Sequence, residues 1–266
     1  MAPTPVFETL LYHTQGSICT ITLNRPAVHN ALSQQLIADL TAAVARAGAD
    51  EAARVVVLTG AGERAFSSGA DLKEGMAGTG RARLSETLRK GYNPLIMSLR
   101  SLPKPVICRL NGVAAGAGCS LALACDVIVA ADSAALSQIF VGIGLIMDAG
   151  SSYFLPRLVG SARAFELCST GRMVPAAEAA ALGLVSQVVP AAQLDAAVAK
   201  LARQYANAPT RAIGLMKQVL NQSHESTLAQ MLELEAVTQD LAGDTTDSQE
   251  GIRAFLEKRL PHFTGK

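Results

Sequence analysis

The chain has 266 residues, of which 50% are hydrophobic and 4% aromatic, and its formal net charge is +1. This length predicts one large domain, or a domain with an appendage, that buries a sizeable core. A near-neutral charge and the absence of tryptophan argue against a nucleic-acid-binding surface, and no apolar run is long enough to span a bilayer.

Cysteine and histidine usage argues against a disulfide framework and a metal site. The five cysteines form no CxxC pair and lie among apolar residues, which favours buried thiols in a reducing compartment. The four histidines show no ligand spacing. Residues 1–9 lack the basic start and apolar stretch of a signal peptide, so we expect a cytoplasmic protein.

The first two thirds of the chain alternates strand and helix patterns. Ile18–Leu23 alternates as a strand does, and Ser33 can cap a helix whose apolar residues recur at helical spacing. Residues 55–58 form an apolar run typical of a strand that is covered on both faces. Residues 106–108 and 127–129 repeat this pattern, which predicts an α/β fold.

The last third is dominated by helical patterns. Thr246 and Gln249 have the spacing of a capping box for the last helix. Residues 228–235 place a broad apolar stripe on a preceding helix, which needs a surface to pack against. We therefore expect an α/β core over residues 1–190 and a helical carboxyl-terminal region over residues 191–266.

Two segments of small residues follow strands and could present backbone amides. In TGAGERAFSSGADLKEG, residues 59–75, no amphipathic helix opens at the second glycine, as a dinucleotide-binding fingerprint requires. A turn that points the amide of Ala70 into a cavity, before a helix starting at Asp71, fits better. Residues 112–120, GVAAGAGCS, form a second turn with amides around Ala117. Both turns could converge on one oxygen, or their small residues could simply allow tight packing.

Asp148 lies in an apolar segment, GLIMDAGSS, and is the candidate acid–base group. Apolar surroundings would raise its pKa and suit it to proton transfer. The alternatives are a solvated loop aspartate or a cap for a helix near Ser151. Ser120 does not lie in a GxSxG elbow and has no histidine in a plausible partner segment, so we do not expect a nucleophilic serine.

With these segments in view, the chain resembles the enoyl-CoA hydratase/isomerase (crotonase) family over essentially its whole length. The matching stretches are LNRPAVHNAL, AFSSGADLKE, KPVICRLNGVAAGAGCSLALACDVIVA and GRMVPAAEAAALGLVSQVV. The resemblance implies a crotonase-type spiral of ββα repeats and a carboxyl-terminal helical region that builds homotrimers, often paired into hexamers. It also implies that the N–H groups of Ala70 and Ala117 form an oxyanion hole, which polarises an acyl-CoA thioester and holds its enolate. No cofactor or metal is then expected, because coenzyme A belongs to the substrate.

The resemblance is closest to the isomerases of the family that act on the ring-1,2-epoxide of phenylacetyl-CoA. YNPLIMSLRSLPKPVIC, GLIMDAGSS and EGIRAFLEKRLPHFTGK all look like those enzymes. The two glutamates with which the hydratases place and split water are replaced by Ser120 and Phe140. The resemblance therefore implies that Asp148 alone shuttles a proton, on the ring epoxide or on a 3-enoyl-CoA.

The resemblance also implies a coenzyme A site. Its expected residues are Arg25, Val28, Ser68, Asp71 and Leu72, with Phe140 beside the acyl group and Lys258 or Phe263 of a neighbouring chain closing over it. For Lys258, an exposed helix end that favours cations is an alternative. Two other functions remain open, a hydratase with an unusual water-activating residue and a non-catalytic acyl-CoA-binding protein.

Overall fold

The structure, a computed structural model, describes residues 7–77 and 83–266. The strands in these ranges are β1 Leu10–Gln15, β2 Ile18–Leu23, β3 Val55–Gly60, β4 Ala65–Ser67, β5 Val106–Leu110, β6 Val113–Ala115, β7 Val127–Ala131, β8 Ala135–Ser137, β9 Val174–Pro175 and β10 Gln187–Val189. The helices in these ranges are α1 Gln34–Ala49, α2 Leu72–Ala77, α3 Leu84–Thr87, α4 Asn93–Ser101, α5 Ala117–Leu123, α6 Ser151–Val159, α7 Ser161–Thr170, α8 Ala176–Ala181, α9 Leu194–Ala206, α10 Thr210–Gln222, α11 Leu228–Gly243 and α12 Thr246–Leu256. The expectation that residues 1–9 are no targeting segment falls largely outside the described residues.

The strands form two sheets, and from β3 to β8 successive strands alternate between them. One sheet has the order β1-β2-β3-β5-β7-β10, and the other has the order β4-β6-β8-β9. The pairs β3–β4, β5–β6 and β7–β8 each place one strand in each sheet, and these strands pair in parallel with their neighbours of the same series. The pairs β1–β2 and β8–β9 are antiparallel, so both sheets are mixed. The chain thus winds as a spiral, which confirms the predicted α/β fold of ββα repeats.

Local sequence explains the elements that were predicted. The Ser33 hydroxyl accepts a hydrogen bond from the Leu36 amide at 3.1 Å and so caps α1. The buried face of α1 includes Leu36, Leu40 and Val44, which lie at helical spacing. Every residue of β3 is buried, as the apolar run predicted. These two elements pack in the same hydrophobic core.

The turns that lead from one sheet to the other stack closely on each other. A Cβ on Gly112 would lie 2.5 Å from the carbonyl oxygen of Arg64, so only glycine fits there. The side-chain amide of Asn111 donates to the carbonyl oxygens of Gly62 and Ala65 at 2.8 and 3.1 Å. This stacking ties the second repeat to the first, so that β4 and β6 end side by side.

The carboxyl-terminal helices differ in how they pack. Helix α9 buries Leu194, Val198 and Ala202 against the core, whereas α11 has no buried residue. Helices α11 and α12 expose large apolar side chains, among them Leu228, Leu232, Val237, Leu241, Ile252, Phe255 and Leu256. The division at residue 190 stays a prediction. In the described ranges, no helix combines the length and apolar character that a membrane crossing requires.

The predicted capping box of the last helix is wrong by one residue. Thr245 caps α12, because its hydroxyl accepts a hydrogen bond from the Ser248 amide at 3.0 Å. The Thr246 hydroxyl instead donates to the Lys266 carbonyl oxygen at 2.7 Å. The Thr246 side chain, which the spacing predicted as the cap, is therefore hydrogen-bonded to the folded-back carboxyl terminus instead.

Candidate active site

Three elements of the candidate site follow three neighbouring parallel strands. Ala70 comes shortly after β4, Ala117 begins α5 just after β6, and Asp148 follows β8 through a 3-10 segment, Ile139–Ile143. The strands β4, β6 and β8 are adjacent and parallel, so their carboxyl ends meet at one edge of the sheet. The spiral thus brings the predicted amides and the predicted acid to one place.

The amide of Ala70 points away from the backbone that holds its loop. Ala70 forms a parallel bridge with Leu32, in which Leu32 N–H donates to the Gly69 carbonyl and Asp71 N–H donates to the Leu32 carbonyl. In such a bridge the N–H of the central residue faces the other side. The loop is therefore fixed while the Ala70 amide stays available to a ligand.

The amide of Ala117 is available because it opens a helix. Ala117 is the first residue of α5, and the first N–H groups of a helix have no partner within it. Gly116 precedes it with φ +52° and ψ −128°, a conformation that only glycine adopts readily. Helix α5 starts at Ala117 itself, which places its positive end directly at this residue.

The two loops touch. A Cβ on Gly69, whose φ is +94°, would lie 2.7 Å from the Ala115 carbonyl oxygen and 3.4 Å from the Ala117 nitrogen. A Cβ on Gly118 would lie 2.5 Å from the Ser67 carbonyl oxygen. Such close approach of two backbones needs glycine at both positions. The small residues therefore allow tight packing of the two loops, and the convergence of the two amides on one oxygen stays a prediction.

Asp148 has the environment of a proton-transfer group. Burial raises the pKa of its carboxyl to about 6 from 3.8. Its Oδ1 atom is buried and has no hydrogen-bond partner among the residues that the structure describes. Its side chain does not cap α6, whose N-cap residue is Gly150. The capping alternative for Asp148 is therefore wrong.

The neighbouring acid, Asp71, is in the opposite electrostatic state. Its carboxylate accepts a hydrogen bond from Arg25 Nη1 at 2.8 Å, and this contact holds the Asp71 pKa below its ordinary value. Two carboxyl groups near the same pair of amides thus have pKa values shifted in opposite directions. Such a separation marks Asp148 as the group that can exchange a proton near neutral pH.

Ser120 contacts the turn that carries Asp148. The Ser120 hydroxyl lies 2.9 Å from the Asp148 carbonyl oxygen and 2.7 Å from the Ser151 hydroxyl. Ser151 in turn accepts a hydrogen bond from Gln138 Nε2 at 2.8 Å. Sequence reasoning missed Ser151 and Gln138, although they are polar residues in a largely apolar stretch, which was the available signal.

The family follows from the sequence pattern of the whole chain. The pattern described as enoyl-CoA hydratase/isomerase matches residues 13–266. The chain belongs to the enoyl-CoA hydratase/isomerase family. It is thus an enzyme of a family that acts on acyl-CoA thioesters, and the oxyanion-hole role of the Ala70 and Ala117 amides stays a prediction.

Relatives within the enoyl-CoA hydratase/isomerase family carry both kinds of name. The 1,2-epoxyphenylacetyl-CoA isomerase of Escherichia coli (strain K12) is 42% identical over 263 residues, covering 98% of this chain and 100% of that protein. A probable enoyl-CoA hydratase of Rhodobacter capsulatus is 43% identical over 260 residues, covering 98% and 99%. The crystal structure of an enoyl-CoA hydratase from Bacillus anthracis superposes with a TM-score of 0.90 at 35% identity, covering 97% and 100%. The spiral is therefore the crotonase fold.

Two buried aromatic rings lie near the residues of this candidate site. Phe140 is buried, and its ring edge lies against Gly116 at the start of α5. Tyr92, which sequence reasoning did not single out, is also buried and ends a π-helical turn before α4. Burial raises the Tyr92 pKa, and the charge of Asp148 raises it further. Tyr92 therefore stays protonated and can donate a hydrogen bond near Asp148.

The residues expected to bind coenzyme A in a crotonase-fold enzyme form one rim. Ser68 donates through its amide to the His29 carbonyl at 2.9 Å, and its hydroxyl lies 3.3 Å from the Val28 carbonyl. Arg25 and Asp71 pair with each other on the same rim, and Leu72 is exposed beside them. The structure thus brings these five residues together. Because Arg25 and Asp71 form an ion pair, their charges also stabilise the rim.

Phe263 does not join this cleft within one chain. Phe263 is held through its carbonyl oxygen by Arg54 at 2.9 Å, and Arg54 lies at the amino end of β3. The six residues of β3 span roughly 20 Å, so Phe263 lies at the far end of that strand from the turn leading to Ala70. Lys258 is exposed just beyond α12. A role for Phe263 therefore requires the cleft of another copy, and the position of Lys258 over coenzyme A stays a prediction.

Proposed function

We propose that this protein is an acyl-CoA isomerase that moves a double bond by a proton shuttle through Asp148. The observation that carries the proposal is the environment of Asp148, whose half-buried carboxyl has a pKa raised to about 6 at the sheet edge that also holds the Ala70 and Ala117 amides. The positions expected to hold the hydratase glutamates have no acid, because they carry Ser120 and Phe140. Isomerisation needs one group that removes and returns a proton, whereas hydration must also activate water.

The proposed reaction on a 3-enoyl-CoA is balanced within the substrate. The thioester oxygen accepts hydrogen bonds from the N–H groups of Ala70 and Ala117, which acidifies the C2 hydrogen. The Asp148 carboxylate takes the C2 proton, and the electron pair of that C–H bond spreads over C2, C4 and the thioester oxygen as a dienolate. The Asp148 carboxylic acid then returns the proton at C4, which leaves the double bond between C2 and C3.

The same proton shift serves a ring-1,2-epoxide of phenylacetyl-CoA. Opening of the carbon–carbon bond shared by the epoxide and the six-membered ring gives a seven-membered oxepin with no change in composition. Asp148 then moves one proton from C2 to the ring, which brings the new exocyclic double bond into conjugation with the thioester. The identity to the Escherichia coli epoxide isomerase over the whole chain supports this substrate as the natural one.

The deciding experiment compares three substrates with the purified protein. We expect conversion of a 3-enoyl-CoA to the 2-enoyl isomer and conversion of enzymatically prepared ring-epoxide CoA to oxepin-CoA. With crotonyl-CoA in H₂¹⁸O, we expect hydration below about 1% of the isomerisation rate. Mass spectrometry of the products distinguishes the reactions, because only hydration adds 20 mass units.

Each other function has its own outcome in this comparison. Hydration as fast as isomerisation would contradict the proposal and favour the enoyl-CoA hydratase alternative with an unusual water-activating residue. Turnover of no substrate, together with measurable binding of the CoA thioesters, would favour a non-catalytic acyl-CoA-binding protein. Turnover of the 3-enoyl-CoA alone would retain the isomerase and remove the ring epoxide as a substrate.

We further propose that the protein assembles as a homotrimer, which can pair into a dimer of trimers. The apolar side chains that α11 and α12 expose support this proposal, since they are a surface that assembly would cover. In such a trimer, Lys258 and Phe263 could reach the coenzyme A bound to a neighbouring copy. This also offers a cation, Lys258, to the phosphates of coenzyme A.

Disruption of this surface is expected to dissociate the assembly. Leu232, 56% exposed on α11, lies among the apolar side chains, so Leu232→Glu should convert most of the protein to monomer in sedimentation velocity. Gln193→Glu adds the same charge at an exposed polar position outside α11 and α12 and should leave the assembly intact. A wild-type protein that sediments as a monomer at micromolar concentration would contradict the proposal.

A further inference from the structure

Beneath the turn that carries Asp148 lies a cluster of three buried polar side chains, which we call the serine cluster. Ser120 and Ser151 are 0% exposed, and Gln138 is 4% exposed. Buried polar groups are unfavourable unless they are hydrogen-bonded, and in this cluster Gln138 Oε1 has no partner among the described residues, whereas both serine hydroxyls are bonded. The serine cluster is part of neither the amide pair nor the coenzyme A rim, so its presence needs a reason.

The hydrogen bonds of the serine cluster run in one direction. Gln138 Nε2 donates to the Ser151 hydroxyl oxygen at 2.8 Å. The Ser151 and Ser120 hydroxyl oxygens lie 2.7 Å apart, and because Ser151 already accepts from Gln138, we assign Ser151 as the donor to Ser120. The Ser120 proton is left for the carbonyl oxygen of Asp148, at 2.9 Å, in preference to the longer contact with Gly116, at 3.3 Å. The chain of donors therefore ends on the main chain of the proposed base.

The turn at Asp148 needs such support. Ala149, which follows it, has φ +49°, in the left-handed region that a residue with a Cβ rarely adopts, and Gly150 has φ +88°. The Ser151 amide also donates to the Asp148 carbonyl, at 3.1 Å. The Asp148 carbonyl oxygen thus accepts one side-chain and one backbone hydrogen bond, immediately before the strained residue Ala149. These bonds fix the position of the Asp148 Cα atom, from which its side chain extends.

The serine cluster also links Asp148 to the amide pair. Ser120 is on the first turn of α5, and its own amide donates to the Gly116 carbonyl at 3.1 Å. The same short helix therefore presents the Ala117 amide at its start and holds the Asp148 carbonyl through Ser120. The separation between the oxyanion hole and the base is set by about one helical turn of backbone.

We propose that Ser120, oriented by Ser151 and Gln138, is a positioning residue that holds the Asp148 carboxyl at the reacting carbon of an acyl-CoA bound through its thioester oxygen. This inference rests on the proposed isomerase function. Ser120 exchanges no proton with the substrate, because its hydroxyl hydrogen is committed to the Asp148 carbonyl. A displacement of a reacting group by about 1 Å can lower a rate about a hundredfold. Hydrogen bonds that hold the Asp148 main chain in place therefore affect the rate of proton transfer.

The test is the kinetics of Ser120→Ala with a 3-enoyl-CoA. We expect kcat to fall about 10- to 100-fold while KM changes less than twofold, because the two amides that bind the thioester are untouched. The apparent pKa of kcat/KM should move down from about 6 toward the ordinary value for aspartate, as the loosened turn admits water to the carboxyl. Ser151→Ala removes the middle of the donor chain and should give the same changes to a smaller extent.

Ser137→Ala is the matched control. Ser137 is also buried, and its hydroxyl donates to the Gly171 carbonyl at 2.8 Å. It precedes Gln138 at the end of β8, so its side chain leaves the strand on the other face. We expect a similar fall in melting temperature with kcat and the pH profile unchanged. Equal losses of kcat in Ser120→Ala and Ser137→Ala would show that the loss comes from general destabilisation, and this result would overturn the inference.

Two other outcomes separate this inference from the proposed function. Full activity of Ser120→Ala, with Asp148→Asn inactive, would overturn the positioning role and leave the isomerase intact. Full activity of Asp148→Asn would remove the proposed base and with it the reason for positioning. Ser120→Cys keeps a donor of similar size, so partial recovery of kcat relative to Ser120→Ala is expected.

Discussion

Asp148→Asn is expected to lower kcat for double-bond isomerisation by about 10³-fold, within the range that general acid–base groups contribute. Asparagine has nearly the same shape as aspartate but cannot accept the C2 proton. KM for the CoA thioester should stay within about threefold, because the Ala70 and Ala117 amides still bind the carbonyl. Steady-state kinetics with a 3-enoyl-CoA, followed through the absorbance of the conjugated product, measures both quantities.

The same substitution is expected to stabilise the protein. Burial raises the Asp148 pKa to about 6, so ionising this carboxyl costs folding free energy above its unfolded value of 3.8. After a discount for its partial exposure, the cost is about 1–2 kcal/mol at pH 8, and removing it should raise the melting temperature by about 2–4 °C. Below pH 4 the carboxyl is protonated in both states, and the difference should vanish.

The pH dependence provides the control for this pair of effects. Wild-type kcat/KM should rise with pH through about 6 as Asp148 ionises, and the residual activity of Asp148→Asn should lack that step. An Asp148→Asn variant that is both less stable and fully active at pH 8 would be incompatible with a buried, reactive carboxylate. Loss of activity without any gain in melting temperature would support the catalytic role of Asp148. It would contradict the free-energy cost that we attribute to ionising its carboxyl in the folded protein.

Gly69→Ala is expected to have the second largest effect, lowering kcat about 10²- to 10³-fold. A methyl group there would lie 2.7 Å from the Ala115 carbonyl oxygen, and a φ of +94° already disfavours any residue but glycine. The loop must shift to relieve this contact, which moves the Ala70 amide away from the thioester oxygen. The measurement is kcat and KM for a 3-enoyl-CoA, together with the melting temperature.

Gly16→Ala is the matched control for backbone strain. Gly16 has φ +58°, but a Cβ there meets nothing within 4 Å. Gly16→Ala should therefore introduce similar backbone strain without displacing the candidate site, and its kcat should equal that of the wild type. Should Gly69→Ala fail to fold, Gly116→Ala reorients the Ala117 amide in a position with space for the methyl group. A folded Gly69→Ala enzyme with full kcat would exclude the Ala70 amide from the oxyanion hole.

Local patterns were enough to predict the repeating elements. Ser33 and the apolar spacing that follows it located α1, and the apolar run at residues 55–58 located β3, because capping and burial act over a few residues. The capping box at Thr246 failed because Thr245 can cap equally well. What distinguishes them is the carboxyl terminus, which folds back from 20 residues away onto the Thr246 hydroxyl.

The candidate site divides in the same way. Glycine spacing and the family resemblance located Ala70, Ala117 and Asp148 as candidates, since each lies in a short segment with a visible pattern. The serine cluster was not predictable, because Ser120 and Ser151 are 31 residues apart and meet only when the spiral is closed. Tyr92 was missed for the same reason, since no local pattern shows that its ring lies near Asp148.

The order of the spiral has a consequence for how such enzymes can diversify. Its first turn supplies the Ala70 amide, its second supplies the Ala117 amide, and its third supplies Asp148. In the proposed function, recognition of the thioester is encoded before residue 118, whereas the group that moves the proton is encoded about 30 residues later. Mutation or recombination confined to the third turn can exchange one reaction for another while the earlier turns keep the affinity for coenzyme A esters.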